Sequence, residues 1–404
     1  MKSIINILIL EYEPLFTDGR VVRVKSLIDY LLSIGMDTSL FSLGENNNIQ
    51  RNQGFVHHQI KYLAMRLIPQ EVSKKVPKHR LLFNDMLKLL SNLLFPDRYI
   101  FSLLTVSRRL RSVLNEGDTL IISMPRFSPL MLCAFPILIP EGINIILDYR
   151  DLWVNNKIFI RSFLTKALAG WIENRALSRC SLVMVTTDSA KEYFNGIGHD
   201  AIVISNGITQ ADMDNINMYR RNSINSTKLS NEIMLGYFGN LGGNRDCSNL
   251  LYLLKDNKFN ISVYGNLDSD HLLACQDSYK GSLSREGCLI ESSHCDVLMV
   301  VIRKAENSDY AIPGKIYECV AFDKPIIMFC PSDAVALSYL QEINYPHLHI
   351  DSEDVTVLND KLVAAINTFY EECTKHHTDR EWEIPIRNKE YEKLHRILEK
   401  MDFI

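Results

Sequence analysis

Along this chain short apolar runs alternate with stretches in which large apolar residues recur every third or fourth position, the pattern of strands followed by amphipathic helices. In the first half, the runs Ile4–Leu10, Thr38–Ser42, Thr119–Ser123, Asn144–Leu147, Leu182–Val185 and Ala201–Ile204 predict strands. The helical period between them is clearest over Val21–Leu32, Leu82–Leu94, Phe101–Leu114 and Lys157–Ser178. A polar stretch rich in Asn, Ser and Asp, Thr209 to Asn231, then interrupts the pattern and reads as a linker. A second series predicts strands at Ile233–Phe238, Ile261–Tyr264, Val297–Val301, Ile326–Phe329 and His347–Ile350, and closing helices over Val355–Lys375 and Ile386–Met401. Repeated βα alternation marks parallel sheets covered by helices. The expectation is an α/β chain of two Rossmann-like domains in series.

Length agrees, because 404 residues exceed one ordinary core. The divisions expected are 1–208, a linker at 209–231, a second domain at 232–380, and a last helical segment, 381–404, packing back toward the first domain. Hydrophobic residues at 47% and charged residues at 23% exclude a disordered chain, and a net charge of −4 argues against nucleic acid as the main partner. The nine cysteines form no Cys-x-x-Cys pair and read as reduced core thiols; Cys288, His294 and Cys295, the tightest group, lack a fourth ligand and the usual metal-site spacing. The first apolar run is interrupted by Asn6 and meets Glu11 and Glu13, so it reads as a buried strand rather than a signal peptide. The longest apolar stretch, Pro129 to Pro140, is too short to span a bilayer. A cytosolic location is expected.

Sheets of this kind bind ligands beyond the carboxyl ends of their strands, so the loops there carry the candidate chemistry. After the first strand, Asp18-Gly19 precedes a helix, and Gly19 would let backbone N–H groups approach a phosphate or simply serve the turn. Asp148-Tyr149-Arg150-Asp151 ends another strand. Two readings stay open there: Arg150 pairing with Asp148 or Asp151, or a carboxylate that orients or deprotonates a sugar hydroxyl. In the second half, Gly239-Asn240-Leu241-Gly242-Gly243-Asn244-Arg245 offers free backbone donors before a helix, and Gly265 follows the next strand. Pro313-Gly314-Lys315-Ile316-Tyr317-Glu318 is the sharpest stretch. Pro313 suits a helix start, whose open N–H groups and Lys315 would meet a diphosphate, while Glu318, one turn on, would accept from ribose hydroxyls. The alternative is a surface Lys–Glu pair.

Several of these stretches, in order, resemble glycosyltransferases of the GT-B fold, specifically the retaining family 4 type that builds bacterial surface polysaccharides. LLFPDRYIFSLL, DTLIISMPRFSP and INIILDYRDLW resemble that family's N-terminal domain; SLVMVTTDSAKEYF and VISNGI resemble its end. IMLGYFGNLGG and AIPGKIYECVAFDKPII resemble the donor-binding domain. The resemblance implies two domains facing across a cleft, with the acceptor on the first. It implies metal-independent transfer with retention, no cofactor, and a nucleotide sugar, expected to be UDP-linked, as donor. The acceptor implied is a hydroxyl of a glycan or polyprenyl-diphosphate-linked glycan. On this reading the donor residues are Gly19, Gly239, Asn240, Arg245, Gly265, Gly314, Lys315, Ile316 and Glu318, and the catalytic residues are Asp148, Arg150 and Asp151. Two departures stand out. Asn240 and Arg245 replace the family's Arg and Lys, and Tyr310 replaces the first glutamate of its paired-glutamate motif. A degenerate scaffold partner and a nucleotide-sugar epimerase of the same fold are the competing readings.

Between residues 61 and 116 eleven basic residues face four acidic ones, a net +7 in a chain of net −4. With apolar groups interleaved, this window is expected to touch an anionic membrane at its inner surface. A solvated helix face over an ordinary core is the alternative.

Overall fold

The computed structural model describes residues 4–11, 19–62, 95–124, 126–155, 162–224, 233–242, 246–302, 309–353, 359–375 and 382–404. The helix predicted over Leu82–Leu94, Asp18, Arg245 and most of the basic window lie outside these residues. The chain forms two compact units: residues 1–204 with 391–404, and residues 205–390.

In unit 1 the elements run β1 (Ile4–Leu8), α1 (Gly19–Ser33), β2 (Asp37–Gly44), β3 (Asn48–Asn52), β4 (Phe55–Lys61), α2 (Leu103–Arg111), β5 (Thr119–Met124), α3 (Pro129–Ala134), β6 (Asn144–Tyr149), α4 (Phe163–Leu177), β7 (Leu182–Val185), α5 (Asp188–Gly196) and β8 (Ala201–Val203). The sheet order is β3-β4-β2-β1-β5-β6-β7-β8, parallel except for the antiparallel edge pair β3–β4. That edge pair carries no apolar alternation: every residue of β3 is exposed, so the sequence pattern misses it. Gly54, at φ +73°, makes its turn. Central β1 is buried on both faces, and its one polar residue, Asn6, is satisfied by donating to the Thr119 carbonyl at 3.3 Å. Ile5, Ile7, Leu40 and Ile121 pack with Val24 and Leu31 of α1 in a single core cluster.

Unit 2 comprises α6 (Gln210–Ile224), β9 (Met234–Phe238), α7 (Ser248–Asp256), β10 (Asn260–Tyr264), α8 (Ser269–Cys275), β11 (Tyr279–Gly281), α9 (Arg285–His294), β12 (Val297–Val301), α10 (Gly314–Ala321), β13 (Ile326–Cys330), α11 (Val335–Glu342), β14 (His347–Asp351) and α12 (Asp360–Lys375). Its sheet is parallel throughout, in the order β11-β10-β9-β12-β13-β14. One feature departs from the sequence reading: α6 occupies most of the stretch expected to be a linker. Its apolar residues are few, but Ile216 is fully buried and Met213 and Tyr219 pack on the same core. Arg220 adds an ion pair to Asp323 at 3.0 Å. A final helix, α13 (Arg387–Lys400), carries Tyr391, Leu394 and Leu398 into the core of unit 1, where the Tyr391 hydroxyl donates to the Arg23 carbonyl at 2.9 Å. Among the described residues no helix is long and apolar enough to cross a membrane.

In both sheets the chain builds to one side and then reverses, between β1 and β5 in unit 1 and between β9 and β12 in unit 2. Ligands of doubly wound sheets gather outside such switch points.

Candidate functional site

In unit 2 the loop after β9 lies at the switch point. The Gly239 N–H donates to the Tyr264 carbonyl at 2.8 Å, so the ends of β9 and β10 are stitched together. Gly265 makes this approach possible, because at φ +134° a Cβ there would stand 2.0 Å from the Gly239 carbonyl oxygen. Asn240 is spent inside the loop: its side-chain oxygen accepts from the Asn266 N–H at 3.0 Å. That bond fixes the loop but brings no positive charge.

Charge arrives instead from α10. Pro313 precedes this helix, no side chain caps its start, and a Cβ on Gly314 would meet nothing within 4 Å. The Ile316 N–H is taken by the Pro313 carbonyl at 3.0 Å, and the helix opens with the Gly314 and Lys315 N–H groups bare and room in front of Gly314, a geometry suited to an anion. The Lys315 ammonium lies 5.9 Å from the centre of the Phe238 ring and borders Gly239. Burial lowers its pKa, with Glu318 acting in the opposite direction. Ile316 points into the core and anchors the first turn.

Glu318 does stand one turn from Lys315, but its ion-pair partner is another residue. Arg285, the first residue of α9, reaches Glu318 at 2.8 Å and Asp212 of α6 at 3.1 Å. Burial works against the Arg285 charge, yet Glu318 and then Asp212 more than offset it and hold the guanidinium above its ordinary range. The Glu318 side chain stays 19% exposed, so it is gripped from one side and open on the other. Lys315, Glu318, Arg285, Phe238 and Cys288 surround a small cavity of about 60 Å³. The sequence reading missed Arg285. Its only local signal is a cation opening a helix capped by Ser284, where a helix start ordinarily favours an acid.

Two Asp-x-Asp triplets, at 212–214 and 268–270, have a spacing that can hold a divalent cation. Three of these four carboxylates are engaged. Asp212 binds Arg285, Asp214 accepts from Gln210 at 2.9 Å, and Asp268 caps α8 and binds the His271 ring at 2.6 Å.

In unit 1, Gly19 opens α1. Asp148 is the clearest correction to the sequence reading. It is 2% exposed, and both its oxygens are engaged: Arg23 donates at 3.0 and 3.4 Å, and the Ser123 hydroxyl donates at 2.9 Å. A buried ion pair of this kind braces β6 against α1, and at this burial Asp148 does not face a ligand as the sequence reading expected. Its ion-pair partner is Arg23, from α1. Burial pulls the Arg150 guanidinium down to about 10, with Asp148 raising it, Arg23 lowering it and Asp151 raising it in turn. Arg150 and Asp151 are half-buried at the carboxyl end of β6. A further group stands at the switch point itself. Glu11, after β1, accepts from the Tyr99 hydroxyl and from Arg126, which follows β5, at 2.8 Å. Asp97 fixes that corner by accepting from the Phe127 and Ser128 N–H groups at 3.0 and 2.9 Å. Glu11 and Arg126 were legible only as members of strand-end loops.

No protein-family model matches the sequence, and no curated protein matches it. Solved structures do. Sucrose-phosphate synthase from Thermosynechococcus elongatus superposes with a TM-score of 0.60 at 12% identity, over 99% of both chains. WaaG, a glycosyltransferase involved in lipopolysaccharide biosynthesis, gives 0.58 at 11% identity over 97% of this chain and 99% of its own. Anabaena HepE, solved with UDP and glucose, gives 0.56 at 12% identity over 98% and 100%. At such identities the likeness establishes the fold, and the chain has the GT-B fold of these glycosyltransferases: α/β, with two parallel-sheet domains.

Proposed function

We propose that the chain transfers a glycosyl group from a nucleotide sugar, UDP-linked, to a hydroxyl of a glycan or polyprenyl-diphosphate-linked glycan in surface polysaccharide biosynthesis. The observation that carries this reading is the open start of α10 beside the Gly239–Gly265 stitch, with Lys315 at the helix end and Glu318 one turn behind it. The helix N–H groups and Lys315 offer positive potential where a departing diphosphate develops charge. Glu318, oriented by Arg285, accepts from ribose hydroxyls with its open side. Two solved neighbours support this reading: HepE, solved with UDP and glucose, supports the donor class, and WaaG, involved in lipopolysaccharide biosynthesis, supports the polysaccharide setting.

Retention of configuration and independence from metal are part of the proposal and rest on the family 4 resemblance. Arg245 joins the diphosphate contacts on this reading, although it lies outside the described residues. On unit 1, Arg150 and Asp151 serve the acceptor hydroxyl, and Asp148 holds their strand in place. The protein works at the cytosolic side of the membrane, with the basic window from 61 to 116 contacting anionic lipid.

The test is turnover: nucleotide release from UDP-sugars in the presence of acceptor extract, for wild type and Glu318→Ala. Loss of the charged hydrogen bonds should lower kcat/KM by about 2–4 kcal/mol in transition-state terms. Near-normal turnover in a folded Glu318→Ala protein rejects the assignment. Hydrolysis or epimerisation without any acceptor favours the epimerase reading, and no reaction with any donor favours a scaffold.

A further inference from the structure

In unit 1, α4 carries large apolar side chains on its outer side as well as its inner one. The core side buries Ala169, Ile172, Ala176 and Leu177. Leu164, Leu168 and Trp171, spaced four and then three residues apart, share a stripe that faces away from them. These three side chains are 78%, 47% and 50% exposed, and Phe163, at the helix start, is 84% exposed. Single exposed leucines are ordinary, but a surface helix normally turns its polar side outward. Here apolar residues take that place.

The neighbouring helices add to the stripe. α2 and α4 both grip α3 and the turn after it, Pro136–Leu138. Arg111 donates to the Ile137 carbonyl at 2.8 Å and Ser107 to the Leu138 carbonyl at 2.6 Å. From the other side Arg175 donates to the Ala134 carbonyl at 2.7 Å, and the Trp171 and Phe135 rings meet at 6.0 Å. The outer stripes of α2 and α4 therefore lean toward each other across α3. Ile137 is exposed between them, and Phe101 and Leu104 are exposed at the start of α2. The Arg175 guanidinium lies 5.6 Å from the centre of the Trp171 ring and steadies the indole at the surface.

The charges on this face are of one sign. Arg108 and Arg111 stand four and seven residues beyond Leu104, on the same side of α2, and Arg175 lies one turn beyond Trp171. Among the described residues none of the three arginines has a carboxylate partner. Within α2, α3, the turn after it and α4 the sequence holds one acid, Glu173, and it is buried on the core side of α4. Glu116 and Glu141 lie in the turns that lead into β5 and β6. A nucleic acid would use the arginines but leave Leu164, Leu168 and Ile137 wet. Apolar side chains and an indole with arginines around them match an anionic bilayer, which offers a hydrocarbon phase beneath phosphates.

We propose that the outer face of α2, α3 and α4 is the surface by which this protein lies on an anionic membrane. Leu164, Leu168 and Trp171 enter the acyl boundary, and Arg108, Arg111 and Arg175 meet the lipid phosphates. The inference deepens the membrane contact of the proposed function and rests on that reading for its purpose. α4 follows β6 in a parallel βα unit, so its first turn stands at the carboxyl end of the sheet, the end where Arg150 and Asp151 follow β6. A polyprenyl-linked acceptor then reaches those residues from the bilayer on which α4 rests. The contact is centred on α4, which the basic window does not include.

The experiment is sedimentation of the full chain with vesicles of phosphatidylcholine, alone or mixed equally with phosphatidylglycerol, at low and high salt. Wild type should bind the mixed vesicles at least tenfold more tightly than the neutral ones. Trp171 is the most exposed of the three tryptophans, so emission should shift to the blue on binding and be quenched by lipid brominated in its acyl chains. Trp171→Phe should remove that signal and keep the binding. Leu164→Gln with Leu168→Gln should weaken binding at least tenfold at either salt, and Arg108→Gln with Arg111→Gln should weaken it at low salt. All four side chains are exposed, so circular dichroism and UDP binding should stay as in wild type. Vesicle binding that the leucine pair leaves intact overturns the proposal. If Lys74→Gln, Lys75→Gln, Lys78→Gln and Arg80→Gln together then abolish it, the membrane contact belongs to another part of the basic window. A dimer that the leucine pair dissolves, with no vesicle binding by wild type, assigns the face to a second copy and overturns it too. Absence of vesicle binding also removes the membrane part of the proposed function, whereas absence of UDP binding counts against glycosyl transfer and leaves this surface standing.

Discussion

At Gly265 the backbone has φ +134°, and any Cβ would fall on the Gly239 carbonyl oxygen, which is backbone and has little room to yield. Gly265→Ala should therefore cost at least about 2 kcal/mol in the stability of unit 2 and weaken nucleotide binding with it. Urea unfolding and a nucleotide titration check both, and a variant as stable as wild type contradicts the stitched-loop geometry. Glu173 of α4 offers a test with a sign. Burial pushes its carboxyl up from 4.5 to about 7, although the Tyr149 hydroxyl donates to it at 3.2 Å. Between those values the folded protein keeps a proton that the unfolded chain has lost, so this group makes stability fall as pH rises through the window. Glu173→Gln should remove that slope and raise stability near pH 8 by on the order of 2–3 kcal/mol. His58 works the other way as pH falls below 6.5, so the comparison is variant against wild type at each pH rather than wild type alone. Parallel pH profiles would contradict the assignment. At this scale, spacing alone made the Lys315–Glu318 pair legible, because one helical turn is a local relation. Arg285 and Arg23 were not legible. Each meets its carboxylate only because a distant helix is laid against the right strand or helix, and no local pattern encodes that.

Among the elements, α6 marks the limit of reading by apolar content. Its sequence is mostly polar, and among the described side chains Ile216 is the one large residue fully buried. If α6 is part of unit 2, Ile216→Ala should cost about 2–4 kcal/mol in urea unfolding and loosen the Asp212–Arg285–Glu318 chain. A change below about 0.5 kcal/mol is what a linker residue would give. The edge strand β3 was hidden for the opposite reason: with both faces wet it needs no alternation. The buried parallel strands were plain in the sequence, since continuous Ile, Leu and Val runs flanked by turn residues are what double-sided burial requires.

For the molecule as a whole, βα alternation over both halves is enough to give two parallel sheets, and their switch points follow from strand order. The final helix is legible as an element, and its Tyr391, Leu394 and Leu398 supply the apolar stripe that enters unit 1. What such alternation does not carry is which side chains converge on a ligand. The proposal is that unit 2 holds a nucleotide diphosphate through the start of α10, Lys315 and Glu318. Calorimetric titration of the full chain with UDP, alongside UMP, GDP and dTDP, tests it most directly, using wild type, Lys315→Ala and Glu318→Gln. UDP should bind wild type, UMP should bind more weakly for want of the second phosphate, and each substitution should weaken UDP at least tenfold, about 1.4 kcal/mol. No binding of any diphosphate to wild type, or binding that both folded variants retain in full, would contradict it.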